Sequence, residues 1–199
     1  MKSKPVLVLS PHTDDGELGA GGTVARLVEA GAEVHWLAFS PGTANDGELL
    51  AAMAVLGIPA DNVTLYLFET RRFPDERQAI LQEMVDCKNR LKPGLVLCPS
   101  RTDGHQDHQV IAAEAQRAFK QTSLLGWEQP WNCRRFDAQA LVRLTRRQFR
   151  RKMEALACYQ SQQAGANMSP LAIISLARVR GMQAGCPLAE GFEVIRWVW

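Results

Sequence analysis

Between Pro5 and Gln121 the chain alternates short apolar runs with helix-like segments, and this alternation limits its fold more than any other feature. Pro5–Ser10 (PVLVLS) reads as a buried strand. Leu18–Gly31 reads as a helix with Leu18, Val24, Leu27 and Val28 on one stripe and Gly31 as its stop signal. A second strand is expected over Val34–Phe39, ended by Ser40-Pro41-Gly42, and then a helix over Gly47–Leu56 closed by Gly57. A third strand follows over Val63–Phe68, an arginine-bearing loop, and a long helix over Pro74–Leu91 with its proline near the first turn. Leu95–Cys98 is the fourth strand and His108–Gln121 a further helix. Strands separated by helices favour parallel pairing with helices on both faces. The expected fold is α/β: a Rossmann-like, doubly wound, mostly parallel sheet.

The remainder is less regular. One or two short strands are expected between Leu124 and Leu144, then a helix from an N-cap at Thr145 to Tyr159. Another helix is read over Leu171–Met182, and Phe192–Trp199 as a strand or a packed tail. With no repeat and no low-complexity linker, the 199 residues are read as one domain, with 1–122 as the Rossmann-like core and 123–199 completing it.

Composition excludes several classes. A net charge of +2 gives no argument for nucleic acid. No stretch approaches the ~18 continuous apolar residues of a membrane span. The MKSKPVLVLS terminus enters a strand pattern directly and does not read as a signal peptide. The 5 cysteines are odd in number, widely spaced and without a C-x-x-C, which suits reduced thiols in a cytoplasmic protein. Arg143–Lys152 is the most basic stretch and reads as a solvated helix face over a stripe of Phe149, Met153 and Leu156. Oligomeric state is not legible.

In an open doubly wound sheet, ligands bind beyond the carboxyl ends of the strands, where strand order reverses. A 3-2-1-4-5 order sets the first and fourth strands side by side at that point. Pro11-His12-Thr13-Asp14-Asp15 follows the first strand, and Pro99-Ser-Arg-Thr-Asp-Gly-His105-Gln-Asp107-His108 follows the fourth. Three of the 4 histidines thus converge with aspartates on one crevice. Imidazole and carboxylate suit Zn²⁺ or another borderline divalent ion, and a catalytic site needs three such ligands with one position left open. His12 with Asp14 or Asp15, and His108 or His105, supply them; an unligated carboxylate can serve as base, and Asp107 can orient a histidine from behind. The competing reading makes the aspartates helix caps, Asp107 included. His35, inside the second strand, is read as structural.

Gly19-Ala-Gly21-Gly22-Thr23 invites comparison with a nucleotide loop. These glycines lie beyond the strand end, however, and the tight turn where a phosphate loop needs its first glycine is filled by Pro11–Asp15. Two carboxylates would also repel a phosphate there. The glycines are therefore expected to pack a helix closely on the sheet.

PHTDD, the GxGGT run and His105-x-Asp107-His108 together resemble the LmbE-like, PIG-L family of zinc-dependent N-acetylglucosaminyl deacetylases. Glu48–Gly57, the Lys152…Ala155-Leu156…Tyr159-Gln-Ser161-Gln162 segment and Ala189-Glu190-Gly-Phe192 extend the likeness along the chain. The resemblance implies His12, Asp15 and His108 as ligands of Zn²⁺, or of another divalent ion such as Fe²⁺, and Asp14 as general base. It also implies that His105 stabilises the tetrahedral intermediate while Asp107 sets its protonation. The implied reaction is metal-assisted hydrolysis of the amide of an N-acetylated amino sugar or its conjugate, releasing acetate and a free amine. One of Arg71 and Arg72 would hold substrate hydroxyls or phosphate.

Three positions depart from the family pattern: Thr13 stands for the usual proline, Gly16 for the usual glutamate, and Asn45-Asp46-Gly47 where an arginine is common. Glu17, one residue on, does not reach the place of the missing glutamate without a shift in the turn. Two other readings compete: a zinc amidase acting on a different N-acyl conjugate, and a nucleotide or sugar-nucleotide binding module.

Overall fold

A computed structural model describes residues 4–42, 46–162 and 169–198; Asn45 and Trp199 lie outside them. The chain threads β1 (Val6–His12), α1 (Asp15–Glu29), β2 (Val34–Ser40), α2 (Asp46–Leu56), β3 (Val63–Leu65) and α3 (Arg77–Leu91). It continues through β4 (Leu95–Pro99), α4 (Gln106–Ala118), β5 (Ser123–Trp127), β6 (Ala140–Arg143), α5 (Arg146–Leu156), α6 (Pro170–Ala184) and β7 (Ala189–Arg196).

The strands form one 7-stranded sheet in the order β3-β2-β1-β4-β5-β7-β6. The first five run parallel in the expected 3-2-1-4-5 order, and β7 enters antiparallel between β5 and β6. Alternation along β1 explains the two layers. Val6 and Val8 face a core built with α1, α2, α5 and α6, whereas Leu7 and Leu9 face one built with α3 and α4.

Several boundaries move for local reasons. α1 begins at Asp15, so Gly19, Gly21 and Gly22 lie within the helix, all buried. A Cβ at Gly19 would overlap the indole of Trp127 on β5, and one at Gly22 would overlap Leu144. These are the close helix approaches expected of the glycines. β3 is shorter than expected, although Tyr66 N–H and Phe68 N–H still donate to Ala38 and Phe39 carbonyls at 2.8 and 3.1 Å. Pro74 sits in a 3-10 turn ahead of α3, not in the helix itself. α4 begins before His108, and its N-cap is His105, whose ring accepts the Asp107 N–H, so Asp107 is not the cap. Thr145 caps α5 through a full capping box with Gln148.

The basic α5 face is only partly solvated. Arg146, Arg147 and Arg150 are exposed, but Lys152 is buried. Its Nζ donates to the Leu18 carbonyl of α1 and to Glu190 Oε1 of β7, both at 2.7 Å. Glu190 in turn accepts the Gly22 and Thr23 N–H groups at 3.0 and 2.6 Å. The two C-terminal segments of the family resemblance thus meet on α1.

Candidate metal centre

β1 ends at His12 and β4 at Pro99, adjacent strands of the sheet, so the turns that follow them face one crevice. His12 Nδ1 lies 2.9 Å and His108 Nε2 3.1 Å from the same oxygen, Asp15 Oδ2. One donor atom from each of His12, Asp15 and His108 lies within 4.8 Å of the others. His12, His105 and Asp107 form a second group meeting the same limit. The three imidazoles are clustered, with ring centroids 5.1 Å apart for His12 and His105, which meet edge-on, and 4.8 Å for His105 and His108, which are tilted.

Each of the two candidate histidine ligands is braced from its far side. His108 Nδ1 meets Asp103 Oδ2 at 2.8 Å, and His12 Nε2 meets Asp107 Oδ2 at 3.0 Å. Carboxylate backing of this kind fixes ring orientation and raises ligand basicity. Burial, the largest single influence, would lower both imidazoles, but the Asp15 charge together with the hydrogen bonds to Asp15, Asp107 and Asp103 overcomes it and raises His12 to about 9 and His108 to about 10. Burial would likewise raise Asp15, yet the charges of His108 and His12 hold it well below the ordinary range. The carboxylate draws positive charge into the space between the rings. A divalent cation displacing those protons meets nitrogen and oxygen donors of the right kind, so the residues fit Zn²⁺.

Asp14 stands beside this group at the N-cap position of α1, without capping the helix through its side chain. Burial first, and the neighbouring Asp15 charge second, raise its carboxyl to about 7. His105 moves the other way: burial and the charges of His108 and His12 lower it. Its Nδ1 accepts the Asp107 N–H at 3.2 Å, so the neutral ring carries its proton on Nε2. The Asp107 carboxylate does not bond the His105 ring. It accepts from Arg71 N–H at 2.6 Å and meets His12, which places it behind a different histidine from the one the family reading gives it.

Arg71 and Arg72 lie on this rim with exposed side chains. Arg72 pairs with Asp75 at 3.1 Å, while Arg71 adopts a left-handed backbone (φ 70°) that aims its N–H at Asp107. Gly16 has a local explanation: a Cβ there would overlap the Trp36 ring, so no larger residue fits. Glu17 does not replace the missing glutamate. It turns inward, where its Oε1 meets Tyr159 Oη at 2.6 Å, and that hydroxyl also lies 2.8 Å from the Thr13 carbonyl.

Two site residues went unassigned at the sequence level. Asp103 stands two positions before His105 in the stretch already singled out, so it was within reach. Gln129, beyond β5, donates from Nε2 to Asp15 Oδ1 at 2.8 Å, and no motif or periodicity marks it.

A mostly parallel open sheet with a His-Asp-His donor set at its reversal point is an α/β architecture carrying a candidate metal centre. The chain belongs to the PIG-L family (GlcNAc-PI de-N-acetylase), whose pattern it matches over residues 7–119. The diacetylchitobiose deacetylase of Thermococcus kodakarensis is 28% identical over 124 residues, or 53% of this chain and 45% of that protein. The match therefore spans less than half the length of that relative. The uncharacterized deacetylase YaiS of Escherichia coli is 27% identical over 178 residues, covering 80% of this chain and 92% of YaiS. Among solved structures, the conserved protein TT1542 of Thermus thermophilus superposes with a TM-score of 0.81 at 24% identity, covering 98% and 96% of the two chains. The 4-carboxy-2-hydroxymuconate hydratase GalB of Pseudomonas putida superposes with a TM-score of 0.80 at 22% identity, covering 98% of each. At that distance likeness carries the fold, and a hydratase shares it; the chemistry has to be argued from the site. Among the described residues no helix is long and apolar enough to cross a membrane.

Proposed function

We propose that this chain is a cytoplasmic zinc-dependent N-deacetylase that hydrolyses the acetamide of an N-acetylated amino sugar or its conjugate, yielding acetate and a free amine. The observation that carries the reading is the His12–Asp15–His108 donor triangle with a second carboxyl, Asp14, beside it and outside the triangle. Its 5 cysteines, all free thiols, agree with a reducing compartment.

His12, Asp15 and His108 would hold the ion, which when bound supplies Lewis acidity for the acyl carbonyl and its attacking water. The protein's own groups do the rest. Asp14 accepts the proton of that water and returns it to the departing amine; a carboxyl raised toward neutrality suits both transfers. His105, neutral and with its proton on Nε2, donates toward the oxygen on which charge develops. Asp107 and Asp103 keep His12 and His108 in place. Arg71, at the crevice rim, holds hydroxyls or phosphate of the substrate.

The test is metal analysis of the purified protein beside acetate release from N-acetylglucosamine conjugates, for wild type and Asp14→Ala. Stoichiometric zinc in both, with acetate released by the wild type alone, is the expected result. Zinc without acetate release across the panel would move the reaction to another amide or another bond. No metal after reconstitution would end the reading.

A further inference from the structure

We infer that Gln129 is a positioning residue that makes Asp15 a one-oxygen ligand. The inference rests on the metal reading above and concerns how the carboxylate is divided. Asp15 Oδ2 receives His12 N–H at 2.9 Å, His12 Nδ1 at 2.9 Å and His108 Nε2 at 3.1 Å. Among the described residues, Oδ1 receives the Gln129 amide, at 2.8 Å, and no other donor. One oxygen faces the imidazoles and the other is held away from them by a buried amide.

The amide is oriented by its own neighbours. Asn132 Nδ2 donates to Gln129 Oε1 at 3.2 Å, which leaves Nε2 as the end facing Asp15. The Asn132 N–H and Cys133 N–H bond the Gln129 carbonyl at 2.9 and 2.8 Å, and Gly104 N–H bonds the Asn132 carbonyl at 3.2 Å. The turn that carries Gln129 is thereby tied to the loop that carries Asp103 and His105. Gln129 is 1% exposed, so its amide has no water to fall back on.

A carboxylate can bind a divalent ion through one oxygen or both. With Oδ1 occupied by the amide, the second mode is closed, and the coordination position it would take stays available to water and the acyl oxygen. Without the Gln129 N–H, Oδ1 is a buried acceptor lacking a donor, and the carboxylate swings both oxygens toward the ion.

Gln129→Met keeps the volume and removes the donor. Three readouts separate the outcomes: zinc affinity by competition with a chelator, the visible spectrum of the Co²⁺-loaded protein, and the melting temperature of each metal-free protein. Expected are a zinc affinity changed about 10- to 100-fold and a Co²⁺ spectrum shifted toward weaker absorption, the mark of a higher coordination number. Asn132→Ala, which frees the amide to rotate, is expected to shift the spectrum in the same direction by less. Unchanged affinity and spectrum in Gln129→Met, whatever its melting temperature, would reduce Gln129 to packing and overturn the inference. Failure of the wild type to bind either metal would instead strike the metal reading itself.

Discussion

Lys152→Met tests how α1 is held against the rest of the protein. Lys152 and Glu190 are each about 5% exposed at the side chain. Between them they engage the Leu18 carbonyl and the Gly22 and Thr23 N–H groups of α1. Leu18 and Gly22 are a turn apart on the same face, so the pair holds the helix over one turn from a single side. Methionine matches the stem of lysine but leaves the Glu190 carboxylate buried without its cation. Removing one partner of a buried pair costs roughly 3–5 kcal/mol. At roughly 2–4 °C per kcal/mol for a domain of this size, the melting temperature falls by roughly 6–20 °C. Chemical denaturation of the Lys152→Met and Glu190→Gln proteins, and of the double variant, measures the coupling directly. The double variant is expected to lose less than the sum of the singles, by about 0.5–3 kcal/mol. A loss below about 1 kcal/mol in Lys152→Met, or additive singles, would show that the pair contributes no more than an exposed one and refute the reasoning.

Two further outcomes follow from the packing of α1. Gly19→Ala drives a methyl into the Trp127 indole, and overpacking of this kind costs roughly 1–3 kcal/mol; a denaturation midpoint equal to wild type would contradict the close approach. Glu17 is raised well above its ordinary 4.5 by burial, against the opposing bond from Tyr159. A folded-state value above the unfolded one gives stability that is present below about 4.5 and is lost as pH rises toward the folded value. Stability of the wild type relative to Glu17→Gln should therefore fall as pH is raised from about 4.5. A difference independent of pH would mean that Glu17 titrates in the fold as it does in the unfolded chain, and would refute the burial argument.

The parallel half of the fold was legible because its signals are local: apolar runs, glycine stops and the polar residues immediately after each strand. The same locality exposed the cluster of His12, Asp14, Asp15, His105 and His108, since a doubly wound sheet turns adjacency of strand ends into adjacency of side chains; the choice of His12, Asp15 and His108 among them came from the family resemblance. What remained hidden depends on contacts distant in sequence. Apart from the family resemblance, neither composition nor periodicity separates Lys152 from Arg150 or Arg151, because its burial is decided by Glu190 on β7. Asp107 reads as the partner of His105, its neighbour in the motif, yet α4 turns its carboxylate toward His12 and the Arg71 N–H. Gln129 carries no signal because an amide at a loop position is ordinary until Asp15 is found opposite it. The starts of α1 and α4 were set too late for a common reason: in both, the first turn is made of the polar site residues themselves, which periodicity of apolar side chains does not register.

β7 also has a bearing on the order in which this protein acquires its shape during synthesis. The donor histidines and aspartates all precede β5, and the family pattern ends at residue 119. The groups that immobilise their supports arrive much later: Glu190 on α1, and Glu193 on Ser100 and Arg101 of the loop after β4. β6, made earlier, has no neighbour in the sheet until β7 is laid between it and β5. A ribosome that has released everything through β6 therefore carries a chain with every candidate donor and its nearest braces, Asp103, Asp107 and Gln129, but without the carboxylates that tie down α1 and the loop after β4. The last of these clamps come with a strand that holds none of the candidate donors.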